Sequence, residues 1–278
     1  MSVKTTLHAR NLRPRKKWGQ HFLTDQRILE SIADAAEVEP TDIVLEIGPG
    51  LGHLTRVLAR RARRVIAVEI DTGLAAQLKN DFADTANVFV APGDFLNAAP
   101  IDWILSCGEQ PLDVSSYKVV ANLPYYITSA ILRHILDAHV KPQIIVVMVQ
   151  REVAQRIVAQ PPAMNLLAVS VQYYAQPRIV RTIAAGAFYP PPKVDSAVVR
   201  LDVHAVRREH TTPAKFFELV RAGFGERRKQ LFNALRHGLT CDAAVIARAL
   251  TRAQIAPTRR AETLTLAEWL ALERALAH

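Results

Sequence analysis

Between Asp42 and Gln150, short apolar runs alternate with stretches of helical spacing, and this alternation constrains the fold more than any other feature. "DIVLEIGPG", "RRVIAVEID", "NVFVAPGD", "YKVVANLPY" and "PQIIVVMVQ" are nearly continuous in aliphatic residues. A strand that is apolar on both faces must be covered on both, as in a parallel sheet with crossover helices. "GHLTRVLARRA", "TGLAAQLKNDFA" and "ITSAILRHILDA" have the spacing of those helices. Upstream, Ile28, Leu29, Ile32, Ala33 and Ala36 share one helical face, with Thr24 or Asp25 able to cap its start. The reading is a doubly wound α/β fold, in which ligands bind outside the carboxyl ends of the strands.

Beyond Gln150 the pattern changes. "REVAQRIVAQ" is helical, whereas "NLLAVSVQYYAQPRIVRTI" and "SAVVRLDV" read as strands in a hairpin-like arrangement. From about His204 the chain is helical, and "TLAEWLALERAL" opens with Thr265 and Glu268 at capping-box spacing. The expected organisation is a basic arm over 1–17, an α/β domain over 18–205 and a helical domain over 206–278.

Thirty-five Lys and Arg against 26 Asp and Glu leave a net charge of +9, which favours a polyanionic partner. The basic residues cluster at Arg13–Lys17, Arg60–Arg64, Arg227–Lys229 and Arg259–Arg260, and one face collecting these would suit nucleic acid. Arg227, Arg228 and Lys229 read as consecutive helical positions suited to phosphate contacts. Two distant cysteines argue against a disulfide framework or a zinc site and fit a reducing cytoplasm. No apolar run is long enough to span a bilayer, and no secretion signal is read, so no membrane partner is expected. His53, His134 and His139 stand alone and read as helix-surface residues.

"EIGPGLGHLT" places Gly48, Gly50 and Gly52 between a strand and a helix, where glycine permits a tight turn and close approach of a ligand to the backbone. The spacing is G-x-G-x-G, not the G-x-G-x-x-G of the dinucleotide fingerprint, which disfavours a nicotinamide-dependent oxidoreductase. Glu69, about 20 residues on, ends the second strand, where a carboxylate accepts from ribose hydroxyls. Asp94 in "GDF" ends the third and can accept from an adenine amino group. The constellation suits an adenosine-containing cofactor.

The fourth strand ends at the same edge in Asn122-Leu123-Pro124-Tyr125. Methylating an exocyclic amine requires acceptors that draw the nitrogen toward tetrahedral geometry, because its lone pair is delocalised into the ring. The Asn122 carboxamide and the backbone carbonyl of Leu123 or Pro124 can accept one N–H each, and Tyr125 can stack on the base. This is catalysis by positioning and electrostatics.

"GQHFL", "EIGPGLGHLT", "VEID", "GDF", "NLPYYIT", "QREVAQRI" and "FYPPPKVDSAVV" occur in the order in which they occur in the ribosomal RNA adenine dimethyltransferase family. The chain resembles that family from about Lys17 to its end, and its bacterial small-subunit branch above all. The resemblance implies a Rossmann-like domain with a mostly parallel seven-stranded sheet and a small all-helical C-terminal domain. It implies S-adenosyl-L-methionine as cofactor. It also implies dimethylation of two adjacent adenosines near the 3′ end of 16S rRNA in the small subunit or its precursor, by a monomer with a part in ribosome biogenesis. Matched by position, His21 and Leu23 belong to a lid over the methionine end of the cofactor, and Gly48 lies at its backbone. Glu69 matches the ribose ligand, Asp94 the adenine ligand and Asn122 the residue touching cofactor and target amine. Phe188 matches an aromatic that clamps the flipped base with Tyr125. Tyr126 and His21 depart from residues found in many relatives. Two rival readings are the branch that modifies large-subunit rRNA and a ribosome-assembly checkpoint in which methylation is secondary.

Overall fold

The structure is a computed structural model that describes residues 7, 15, 19–107, 116–204, 213–226 and 228–277. Apart from Leu7 and Arg15, the expected N-terminal arm lies outside the described residues. No helix among those described is long and apolar enough to cross a membrane.

Seven strands form one sheet: β2 (Ile43–Ile47), β3 (Arg64–Glu69), β4 (Val88–Pro92), β5 (Lys118–Asn122), β6 (Ile144–Gln150), β7 (Ala175–Ile183) and β9 (Ser196–Val203). Their order is β4-β3-β2-β5-β6-β9-β7. The first five lie parallel, and β9 pairs antiparallel with β6, Val147 opposite Val199. A separate two-stranded ribbon joins β1 (Phe22–Leu23) to β8 (Phe188–Tyr189). The crossover helices are α2 (His53–Ala59), α3 (Thr72–Asp81), α4 (Pro100–Leu105) and α5 (Thr128–Asp137).

Helix α1 (Gln26–Ala35) starts where Asp25 Oδ1 accepts from the Arg27 and Ile28 amides at 2.9 and 3.4 Å. Its Ile28, Leu29, Ile32 and Ala33 enter a core with Val44, Val65, Val120 and Val146. Full burial of each of the larger aliphatic side chains stabilises by about 1.5–3 kcal/mol.

The described residues form two compact units, one from Met1–Ala154 with Pro177–Val203 and the other from Gln155–Gln176 with His204–His278. The expected division at 205/206 therefore misses Gln155–Gln176, which packs with the helical unit. "LLAVSVQYY", expected as strand, is helix α7 (Leu166–Tyr174), following α6 (Arg151–Ile157). Two side-chain interactions account for this. Asn165 Oδ1 caps the Ala168 amide at 3.1 Å, and buried Gln172 donates to the Ile157 and Ala159 carbonyls at 3.2 and 2.9 Å. The Tyr173 ring then stacks on Phe216 with centroids 4.6 Å apart.

The helical unit continues with α8 (Pro213–Gly225), α9 (Leu231–Gly238), α10 (Ala243–Arg252) and α11 (Leu266–Leu276). Trp269 is fully buried there, and a Cβ on Gly223 would come within 2.4 Å of its ring, so a side chain at 223 would displace it. The Thr265–Glu268 capping box forms as its spacing predicted, with Glu268 N donating to Thr265 Oγ1 at 3.2 Å and Thr265 N to Glu268 Oε2 at 2.7 Å.

At the amino edge of the sheet, Lys118 Nζ donates to the Glu37 carbonyl at 2.6 Å and to Asp42 Oδ2 at 2.7 Å. Lys118 is buried, so removing its ammonium leaves both acceptors uncompensated. Lys118→Ala is expected to lower unfolding free energy by about 3 kcal/mol in urea titrations, mostly through that loss. The opposite, carboxyl edge, where β5 ends at Asn122, should keep its structure.

Candidate active site

The parallel register brings three strand ends level. Ile47 lies opposite Val68 on β3 and Ala121 on β5, so Gly48, Glu69 and Asn122 emerge side by side. Gly48 and Gly50 adopt φ of +67° and +59°, which side-chain-bearing residues rarely take. The Gly50 amide donates to Glu69 Oε2 at 3.0 Å and the Asp71 amide to Glu69 Oε1 at 2.9 Å. Burial raises the Glu69 carboxyl above its ordinary range, with these two donors opposing the shift.

The segment Gly19–Leu23 roofs a cavity over this edge. A Cβ on Gly50 would approach Phe22 to 3.0 Å, so the roof sits tightly on the loop. Three side chains hold the roof. Asn122 Nδ2 donates to the His21 carbonyl at 3.1 Å, His53 Nδ1 donates to the Leu23 carbonyl at 3.0 Å, and His21 Nδ1 donates to the Pro190 carbonyl at 2.7 Å. Gln20 Nε2 reaches Asp71 Oδ2 at 3.3 Å. With its nitrogen occupied, Asn122 keeps its carboxamide oxygen as an acceptor in the cavity wall.

Tyr125 is half-buried, with its hydroxyl 2.6 Å from Ser196 Oγ and its ring 5.8 Å from that of His21 at an interplanar angle of 23°. Burial raises the phenol above its usual range, so it stays neutral. Leu123 and Pro124 complete the wall.

The cavity thus gathers His21, Leu23, Gly48, Glu69, Asn122, Leu123, Pro124 and Tyr125. Phe188 is not among its lining residues. It pairs with Leu23 across the ribbon and is buried in the core. Asp94 also lies outside the cavity wall, and its Oδ1 caps the Leu96 amide at 3.0 Å.

The expected helix through Arg227–Lys229 ends at Gly225. Arg227 lies outside the described residues. Arg228 is exposed in the turn, and Lys229 pairs with Glu226 at 3.0 Å. Arg60 and Arg61 pair with Glu30, and Arg61 also with Asp34, so much of that cluster is neutralised locally.

His53 holds the roof, and His134 Nε2 donates to the Ala98 carbonyl at 2.8 Å. His139 is exposed. No group of three His, Cys, Asp or Glu among the described residues is placed to hold a metal ion.

A profile of the family described as "Ribosomal RNA adenine dimethylase" matches residues 11–277. The chain belongs to the ribosomal RNA adenine dimethylase family. It is 47% identical over 268 residues, 96% of this chain and 90% of the relative, to "Ribosomal RNA small subunit methyltransferase A" of Dehalococcoides mccartyi (strain ATCC BAA-2266 / KCTC 15142 / 195). It is 44% identical over 275 residues, 97% and 94%, to the protein of that name in Moorella thermoacetica (strain ATCC 39073 / JCM 9320). Among solved structures, the 23S rRNA methyltransferase ErmE superposes with a TM-score of 0.71 at 29% identity, covering 92% of this chain and 100% of that one. A dimethyladenosine transferase from Plasmodium falciparum superposes with a TM-score of 0.75 at 25% identity, covering 91% and 96%.

As a member of this family, the protein is an rRNA adenine dimethyltransferase that uses S-adenosylmethionine. The cavity is suited to such a cofactor: its glycine floor carries no Cβ at the two left-handed positions, and a buried carboxylate stands at the β3 end.

Glu46 was not singled out from the sequence. It is buried in the cavity wall, and the Thr55 hydroxyl beside it opposes the effect of burial on its carboxyl. Burial pushes its carboxyl up to about 8 from 4.5. Between those values the folded protein binds the extra proton, so Glu46 costs stability as pH rises, by up to about 1.4 kcal/mol per pH unit. Glu46→Gln is expected to lessen that loss in thermal unfolding followed from pH 5 to 8. An unchanged slope would show that Glu46 does not titrate there.

Proposed function

We propose that this dimethyltransferase acts on 16S rRNA in the small ribosomal subunit or its precursor, converting two adjacent adenosines near the 3′ end to N6,N6-dimethyladenosine. Similarity to the small-subunit methyltransferases supports that target over the large-subunit RNA named for ErmE, since identity to the former is 47% and to the latter 29%.

The observation that carries the chemical reading is the fixed carboxamide of Asn122. Its Nδ2 is committed to the His21 carbonyl, so Oδ1 is the atom offered to an incoming amine. That oxygen accepts one N–H of the target, and the carbonyl of Leu123 or Pro124 accepts the other. The nitrogen lone pair is then released from the ring and aimed at the electrophile. S-adenosylmethionine, when bound, supplies an electrophilic methyl group on a sulfonium. Gly48 lets the cofactor lie against the backbone, Glu69 accepts from its ribose, and His21 and Leu23 close over its methionine end.

The adenine leaves its stack to reach Asn122 and lies on the Tyr125 ring, which the Ser196 contact keeps from rotating. Phe188, paired with Leu23 in the ribbon, is assigned with Tyr125 to clamping the base. Asp94 reaches the cofactor adenine only if it also serves its cap, which its second oxygen permits. The helical unit, with Arg228 and Lys229, is assigned to RNA phosphates.

Asn122→Ala is expected to reduce methyl transfer to unmodified small subunits by at least about 100-fold, the scale of losing one aligned polar group in a transition state. Pre-subunit binding should persist, as would suit a further part in assembly. Near wild-type transfer by this variant would remove Asn122 from the chemistry. Methylation confined to large-subunit RNA, read by primer extension on both RNAs, would instead overturn the target.

Binding to small subunits is also expected to weaken steeply between about 50 and 200 mM salt, because phosphate contacts release counterions. A flat response in filter binding would exclude the basic residues as the source of affinity.

A further inference from the structure

The two tyrosines of "NLPYYIT" point to different surroundings. Tyr125 is half-buried and lines the cavity, whereas Tyr126 is 57% exposed and does not line it. A large aromatic ring left mostly in water beside a catalytic cavity has no packing explanation. Its inner edge rests near Gly19 of the roof, where a Cβ would lie 3.6 Å from Tyr126 Cδ1. Gly19 takes φ of +56°, which side-chain-bearing residues rarely adopt.

Asp94 is the charged neighbour. After burial, its charge is the second cause that raises the Tyr126 phenol. A carboxylate there disfavours a phosphate, while a flat base tolerates it, and any base can stack on an exposed ring. Tyr126 and Asp94 both lie outside the cavity lining, so a place in the cofactor wall is the competing reading that cofactor affinity decides.

We propose that Tyr126 is a second stacking surface, which takes the base next to the adenosine held on Tyr125. The inference rests on the target reading above. Extruding one of two adjacent adenosines breaks the stack between them, and the neighbour is left with an open face. Tyr126 supplies a replacement partner one residue along the chain from the ring beneath the reacting base. The reacting nucleotide is thereby held from its own side and through its neighbour.

The test uses the full-length protein, small ribosomal subunits lacking the modification, and four variants: Tyr126→Ala, Tyr126→Leu, Tyr126→Phe and Tyr126→Trp. Methyl transfer is measured for KM and kcat, and S-adenosylhomocysteine affinity by calorimetry. Loss of one stacked base is expected to raise KM for the subunit at least about fivefold in the Ala and Leu variants. The flat rings of the Phe and Trp variants should restore it to within about twofold, and cofactor affinity should stay the same in all four.

Weakened cofactor binding with an unchanged KM for the subunit would overturn the proposal and make Tyr126 part of the cofactor wall. So would a Leu variant as good as Phe, since that reports apolar contact without stacking. If the wild type fails to methylate these subunits, the target reading falls and the platform with it. If the wild type methylates them and the Ala variant matches it, only the platform falls.

Discussion

The pairing register of β2 between its two parallel neighbours is the constraint on which the site depends. A shift of one residue would turn every inward side chain of that strand outward and separate Gly48 from Glu69 and Asn122. Register is secured by burial on both faces, because Val44 and Leu45 have no accessible surface, and by the Lys118–Asp42 pair at the far edge. The chemistry at one end of the sheet is thus held by apolar packing along its length and an ion pair at the other end.

The roof depends on that register in turn. Residues 19–23 form only two residues of strand, too little to be rigid alone. They are held by side chains from elements the sheet has already positioned: Asn122 from the end of β5 and His53 from the start of α2. Both bonds go to main-chain carbonyls, which can only accept, so the Nδ1–H tautomer of His53 is fixed and the orientation of the Asn122 amide follows. Closing the roof and orienting the acceptor are one event.

These dependencies explain what could be read from the chain. Strands β2 to β6 were legible because their apolar character is continuous, and Gly48, Glu69 and Asn122 because each directly ends a strand or begins the turn after it. Helix α7 was not, since a run that is apolar at nearly every position has no period to separate helix from strand. What decides it is Gln172 reaching the carbonyls of residues 157 and 159, a contact visible only in three dimensions. Glu46 was hidden inside an apolar run. His53 was read as surface because its partner lies 30 residues away. The setting of Phe188 was not legible, because it is fixed by pairing with Leu23, across a span no local pattern reports.

An amide at position 122 also suits the electrostatics. Glu46 and Glu69 are both buried near this edge, and burial raises both carboxyls. A carboxylate in place of Asn122 would be a third acid in the same wall, and mutual repulsion with desolvation would favour its protonated form. Such an acid would match the carboxamide only while it stays protonated, and it would gain a charge as pH rises. The carboxamide cannot titrate, and one of its N–H groups is held by the roof. It therefore offers one acceptor of fixed direction at every pH at which the protein is folded, and it leaves the adjacent carboxyls free to respond to a positively charged cofactor.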